Sequence, residues 1–136
     1  MSVERGLLDT STVILLGRVA DPDSLPDDCV ISAVTLAELS AGPHVATTPA
    51  ERVARQAHLQ QAEADFEVLP LDAAAARAFG AVAASLRAAG RKPAARAYDA
   101  LIAATALAHS LPVFTCNPSD FAGIDRLAVH PVVVAP

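Results

Sequence analysis

The sequence predicts an α/β fold, a three-layer α/β/α sandwich on a mostly parallel, roughly five-stranded sheet. Three observations lead there. Short apolar runs ending at Pro, Asp or Gly recur along the chain, and helix-length segments with capping residues separate them. That alternation is the mark of βαβ units, whose strands run parallel with helices over both faces. A chain of 136 residues with 53% hydrophobic side chains can also bury roughly two-thirds of its unfolded surface as one domain. A single domain over 1–136 is therefore expected.

In chain order, "GLLD" (6–9) is a brief apolar run ending at polar residues and reads as a first strand. "TSTVILLGRV" follows with Thr10 or Ser11 as N-cap, so a helix comes next. "DPDSLPDD" (21–28) is a Pro/Asp loop. "CVISAV" (29–34) is a second strand, and "TLAELSAG" a helix closed by Gly42 and Pro43. Thr48-Pro49-Ala50-Glu51 forms a capping box with Pro at the first helical position, which starts a helix near 49 that runs to about 65. "FEVLPL" (66–71) is a third strand. Asp72 caps an Ala-rich helix ending at Gly90, and "RKPAAR" is a loop. "AYDALIAATAL" (97–107) begins a helix reaching about 109. "LPVFT" (111–115) is a fourth strand, "PSDFAGI" a helical turn, and "LAVHPVVV" (127–134) a fifth strand.

Composition narrows the function. A net charge of −5 argues against a passive nucleic-acid coat, whose footprint is basic. It leaves room for an enzyme that meets phosphate through a bound cation. No apolar run approaches a membrane span, and the opening "MSVERGLLDT" lacks the apolar core of a signal peptide. Cys29 and Cys116 stand far apart without metal or redox spacing, as packed, reduced thiols of a cytoplasmic protein do. His44, His58, His109 and His130 are likewise scattered. No HExxH, G-x-S-x-G, P-loop or GxGxxG occurs.

The acids carry the chemistry. In open parallel sheets ligands bind outside the carboxyl ends of the strands. Asp9 ends the first strand, and Asp120 follows the fourth by five residues. Glu38 and Asp99 lie early in helices that can face the same rim. Asp99 is the most telling, because "ALIAATAL" after it is a buried pattern that offers no cation. Carboxylates crowded on one rim raise one another's pKa unless a cation offsets them. Hard oxygen ligands of this kind suit Mg²⁺ or Mn²⁺, which activate water and stabilise a leaving oxygen in phosphodiester displacement.

At these residues the sequence resembles a PIN domain, specifically a VapC-type ribonuclease toxin of a type II toxin–antitoxin system. The likeness covers nearly the whole chain in order: "LLDTSTVI" (7–14), "ISAVTLAELSAG" (31–42), "AYDALIAATAL" (97–107) and "LPVFTCNPSDF" (111–121). It implies a PIN-like fold in which Asp9, Glu38 and Asp99 are the catalytic, metal-binding acids. Thr10 and Ser11 match the polar pair behind the first acid, and Thr115 the hydroxyl ending the fourth strand. Family members often carry Asp two residues after that hydroxyl. Here the position is Asn117, and the nearest carboxylate is Asp120. The fourth metal position lies between Asp120 and Asn117, the latter through its carbonyl or a water.

The resemblance further implies an endoribonuclease that uses Mg²⁺, or Mn²⁺, to cleave RNA until a VapB-type antitoxin binds it. A homodimer within a toxin–antitoxin hetero-oligomer, away from membranes, is implied with it. From the residues, Arg91, Lys92 and Arg96 form a basic lip before Asp99 that either positions RNA phosphates or is a solvated loop. Tyr98 either stacks on a base or packs, and the helix from 49 to 65 either packs or covers a partner groove. An inactive PIN-like binding module is the alternative. A phosphoaspartate enzyme fits poorly, since Ser11 stands where its second Asp belongs and the only Lys, Lys92, is in a loop.

Overall fold

A computed structural model describes residues 3–136; Met1 and Ser2, part of the expected domain and of the opening stretch, lie outside the described residues. Five strands, β1 (Arg5–Leu8), β2 (Asp28–Ser32), β3 (Glu67–Leu69), β4 (Val113–Thr115) and β5 (Val129–Pro131), form one sheet in the order β3-β2-β1-β4-β5. All four pairings are parallel, which sharpens the expected "mostly parallel". The helices are α1 (Thr10–Ile14), α2 (Ala33–Ala41), α3 (Pro49–Asp65), α4 (Ala73–Ala88) and α5 (Ala97–Ala108).

The sheet is buried on both faces, and successive residues of each inner strand serve opposite cores. Leu7, Val30 and Val113 join α4 and α5 on one side, with Val82, Leu86, Ile102 and Phe121. Leu8, Ile31 and Phe114 join the other, with Leu39, Ala62 and Val132. Such strands read as short continuous apolar runs rather than as alternation. In α5, Ala100, Ala103, Ala104 and Ala106 are fully buried, so small side chains bring that helix close to the sheet and to α4. Gly6 shows the same tightness: a Cβ there would meet the Phe114 ring at 2.5 Å. That ring cannot yield freely, because His130 stacks on it with centroids 4.7 Å apart.

Several elements are shorter than the sequence predicts. β2 ends at Ser32, not 34, because the Ser32 hydroxyl accepts from the Thr35 amide and starts α2 two residues early. β3 stops before Pro70 and β4 begins after Pro112, since proline supplies no amide to a ladder. The edge strand β5 covers only 129–131 of the expected 127–134 and ends on Pro131, which blunts the edge. α1 gives way after Ile14 to a 3₁₀ turn at Leu16–Arg18, the "RKPAAR" loop contains another at Pro93–Arg96, and so does the Pro/Asp loop at Pro22–Ser24.

The N-cap of α1 is Asp9, not Thr10 or Ser11, because its carboxylate accepts from the Thr12 amide and leaves both residues inside the helix. The other two N-caps read from sequence stand. Thr48 accepts from the Glu51 amide at 3.1 Å and Asp72 from that of Ala75 at 3.0 Å. At the end of α4, Gly90 adopts φ +76°. Its amide reaches the Arg87 carbonyl and that of Arg91 the Leu86 carbonyl, the paired bonds of a Schellman turn. The chain leaves β1 toward β2 on one side and returns to β4 on the other. The crevice for a ligand is therefore at the carboxyl ends of β1 and β4.

Candidate active site

Asp9 occupies that crevice. It follows β1 directly and is 3% exposed. As N-cap of α1 it accepts from the Thr12 amide at 3.1 Å, and from the Thr12 hydroxyl at 2.6 Å. The Ser11 hydroxyl reaches it at 3.1 Å, and the Thr115 hydroxyl, from the end of β4, at 2.7 Å. The cap role found for this residue and the site role expected of it are one arrangement, because the turn that opens α1 also clamps the carboxylate. Charge-assisted bonds of this kind are what a buried carboxylate requires in place of water.

Glu38 comes from the second turn of α2 and reaches the rim from the opposite side. The Thr10 hydroxyl lies 2.8 Å from its Oε1 and 3.0 Å from the Thr35 hydroxyl. Thr35 in turn stands within reach of Ser32, so a row of small polar side chains fixes the glutamate.

Asp99, in the first turn of α5, is half-buried and receives no hydrogen bond from any described residue. Burial, together with the charges of Asp120, Asp9 and Glu38, pushes its carboxyl up to about 6, while Arg96 pulls it down. Asp99 thus feels the other three acids across the rim.

Asp120, in the short turn Pro118–Phe121, pairs with Arg96 at 3.0 Å, with the two side chains 37% and 34% exposed. It belongs to the acidic group yet already holds a cationic partner. Asn117 is exposed; its amide donates to the Thr115 hydroxyl at 2.9 Å. The basic lip divides. Arg96 faces the acids. Arg91 instead donates to the Ser119 and Ala122 carbonyls at 2.9 and 2.7 Å, tying the end of α4 to the loop that carries Asp120. Lys92 is exposed and free of partners among the described residues.

Three residues of the site escape a reading by motif. Thr12 is fully buried and bridges Asp9 to the Cys116 amide, which donates to its hydroxyl at 3.1 Å. Thr35 and Ser32 are equally buried. Their signal was present: hydroxyls inside apolar runs must find polar partners, and here the partners are the site acids or their supports.

A divalent cation fits this donor set. The oxygens are hard, one carboxylate is saturated with donors and oriented, and another is destabilised by burial and by like charge. Among the described residues there is no group of three or more His, Cys, Asp or Glu side chains placed to hold a metal ion. Mg²⁺ needs none, since it keeps several waters and binds through one or two carboxylates.

Comparison with known proteins identifies the fold and the family. Residues 7–127 match the family model of the PIN domain. Ribonuclease VapC5 of Mycobacterium tuberculosis is 41% identical over 125 residues, 90% of each chain. Ribonuclease VapC4 of the same organism is 36% identical over 132 residues, 95% of this chain and 98% of the relative. Among solved structures, VapBC-5 of M. tuberculosis, a member of the VapBC family of toxin-antitoxin systems, superposes with a TM-score of 0.80 at 39% identity, covering 96% of this chain and 98% of the other. FitAcB of Neisseria gonorrhoeae superposes at 0.72 with 31% identity, covering 90% and 94%. With a parallel sheet in this order, acids at its switch point and these relatives, the chain belongs to the PIN domain family, in its VapC branch.

Proposed function

We propose that this chain is a Mg²⁺-dependent endoribonuclease toxin that hydrolyses RNA phosphodiester bonds and is held inactive by a VapB-type antitoxin. The observation that carries the reading is the carboxyl of Asp99, half-buried among three other acids, raised by that burial and by their charges, and bonded to no donor among the described residues. A structural acid would be paired or solvated; this one is arranged for a cation and substrate.

Asp9, Glu38 and Asp99 would hold the ion, and Asp120 is the fourth acid of the group, while Asn117 can add a neutral oxygen through water. A bound Mg²⁺ would supply Lewis acidity toward a phosphate oxygen and lower the pKa of a water. The chain's own residues do the rest. Ser11, Thr12 and Thr115 fix the oxygens of Asp9, and Thr10 fixes that of Glu38. Arg96 stands beside the acids, where it can meet a phosphate. VapBC-5 is a member of a family of toxin-antitoxin systems, and we infer that this chain, working as one domain, 1–136, joins such a complex as a homodimer. Among the described residues no helix is long and apolar enough to cross a membrane.

The test is cleavage of RNA by the purified chain with Mg²⁺, with Mn²⁺ and with chelator. Cleavage that needs the ion and disappears in Asp9→Ala and Asp99→Ala is expected. Equal RNA loss with and without chelator would overturn the reading. A second reading, a PIN-like binding module without activity, draws on the uncharged Asn117; it predicts partner binding with no metal-dependent cleavage at all. Arg96→Ala is expected to weaken RNA binding and flatten its salt dependence.

A further inference from the structure

Tyr98 has no place in the acid array, yet the fold sets it there. It is the only tyrosine of the chain and is 62% exposed, so the packing role open to it from sequence is not the one it plays. It precedes Asp99 in the first turn of α5. Two clefts flank its ring. One is bounded by Glu38, Ala94, Arg96 and Asp99, the other by Ala37, Glu38 and Ala41. Both include Glu38, so each opens on the acidic rim. Their remaining walls are mostly methyl groups, which leave room for a flat ring beside the phenol.

An exposed aromatic costs free energy in water and is a natural stacking surface for an unpaired base. The adjoining residue carries the carboxylate at which the phosphodiester would be held.

We propose that Tyr98 is the base-stacking platform of the site: its ring packs on the base of a nucleotide flanking the scissile phosphate and thereby selects single-stranded RNA. This rests on the ribonuclease reading above. The cleft walls of Ala37 and Ala41 limit how large a base can slide in, so the residue contributes to sequence preference as well as affinity.

The test is steady-state cleavage of a short single-stranded oligoribonucleotide by the full chain and by Tyr98→Ala, Tyr98→Phe and Tyr98→Trp. Metal-dependent cleavage by the unaltered chain checks the ribonuclease reading first and independently. Given that activity, Tyr98→Ala is expected to raise KM about 5- to 100-fold, the range of one lost base stack, with kcat changed far less. Tyr98→Phe should retain near-normal KM. Because the chain has no tryptophan, Tyr98→Trp introduces a lone indole, whose fluorescence should be quenched by the oligonucleotide. An abasic site moved along the oligonucleotide should raise KM at one position only, and that dependence should vanish in Tyr98→Ala. Unchanged KM in Tyr98→Ala overturns the proposal. So does a Tyr98→Phe variant that behaves like Tyr98→Ala, or a Tyr98→Ala variant impaired only in binding its protein partner.

Discussion

Asp9 is buried beneath hydroxyl and amide donors, whereas Asp99, at the same rim, faces three other acids and receives no hydrogen bond from any described residue. The difference lies in how each is held. Asp9 is fixed by the fold: the first turn of α1 and the end of β4 close on it whether or not an ion is present. Asp99 is fixed by its helix alone, and its surroundings make the charge unwelcome until a cation arrives. One acid stabilises the folded chain, and the other strains it.

The largest expected effect breaks both roles of the first acid. Asp9→Asn replaces one carboxylate oxygen by an NH₂ group, which opposes either the Thr12 hydroxyl at Oδ1 or the Thr115 and Ser11 hydroxyls at Oδ2. It should lower RNA cleavage by more than ~100-fold, the upper cost of losing even an outer support of a metal ligand. It should also destabilise the fold by about 1–3 kcal/mol, from unsatisfied buried donors. Urea unfolding with unaltered stability would refute the clamp.

Asp99→Asn should also abolish cleavage, with the opposite effect on stability. A carboxyl raised from the ordinary 3.8 to about 6 binds its proton more tightly in the folded chain than in the unfolded one. Its charged form therefore costs stability as pH rises through that window, and the cost is fully present above it. At pH 7.5 without metal, Asp99→Asn should be more stable by on the order of 1 kcal/mol, a figure reduced for the solvent that reaches the half-buried group. The gain should shrink as pH falls from 6 toward 4, and Mg²⁺ should narrow it. Melting curves across pH check this, and a pH-independent difference would sink it.

A smaller effect sharpens the contrast. Thr115→Val keeps size but removes the donor to Asp9, so metal affinity and activity should fall about 10- to 100-fold, measured by Mg²⁺ titration of cleavage. The smallest concerns Arg96, which lowers the Asp99 pKa. In Arg96→Ala the acid limb of the pH–rate profile should move to higher pH; movement the other way would place Arg96 outside the field of Asp99.

Much of this was legible beforehand, for identifiable reasons. The capped helices at Thr48 and Asp72 and the inner strands have local signals, in capping chemistry and apolar runs. Strand ends were misplaced where a tertiary or capping bond decided the matter, as at Ser32, or where proline truncated a ladder. Asp9, Glu38 and Asp99 were visible because acids in apolar contexts require a reason. Thr12 and Thr35 were not, since a threonine in a buried run looks like a β-branched filler until its partner is known. Arg91 and Arg96, five residues apart, read alike in sequence. Only the fold separates the one that ties a loop from the one that meets the acids.

The sheet order has a bearing on when the molecule becomes dangerous. β1 is made first and lies at the centre, but its neighbour β4 is among the last strands to be synthesised. The clamp on Asp9 includes Thr115, and Asp99 and Asp120 also come late in the chain. A ribosome therefore carries no assembled carboxylate array on its product until β4 and the turn that carries Asp120 have been made. Arming waits for segments far apart in sequence to meet at one rim.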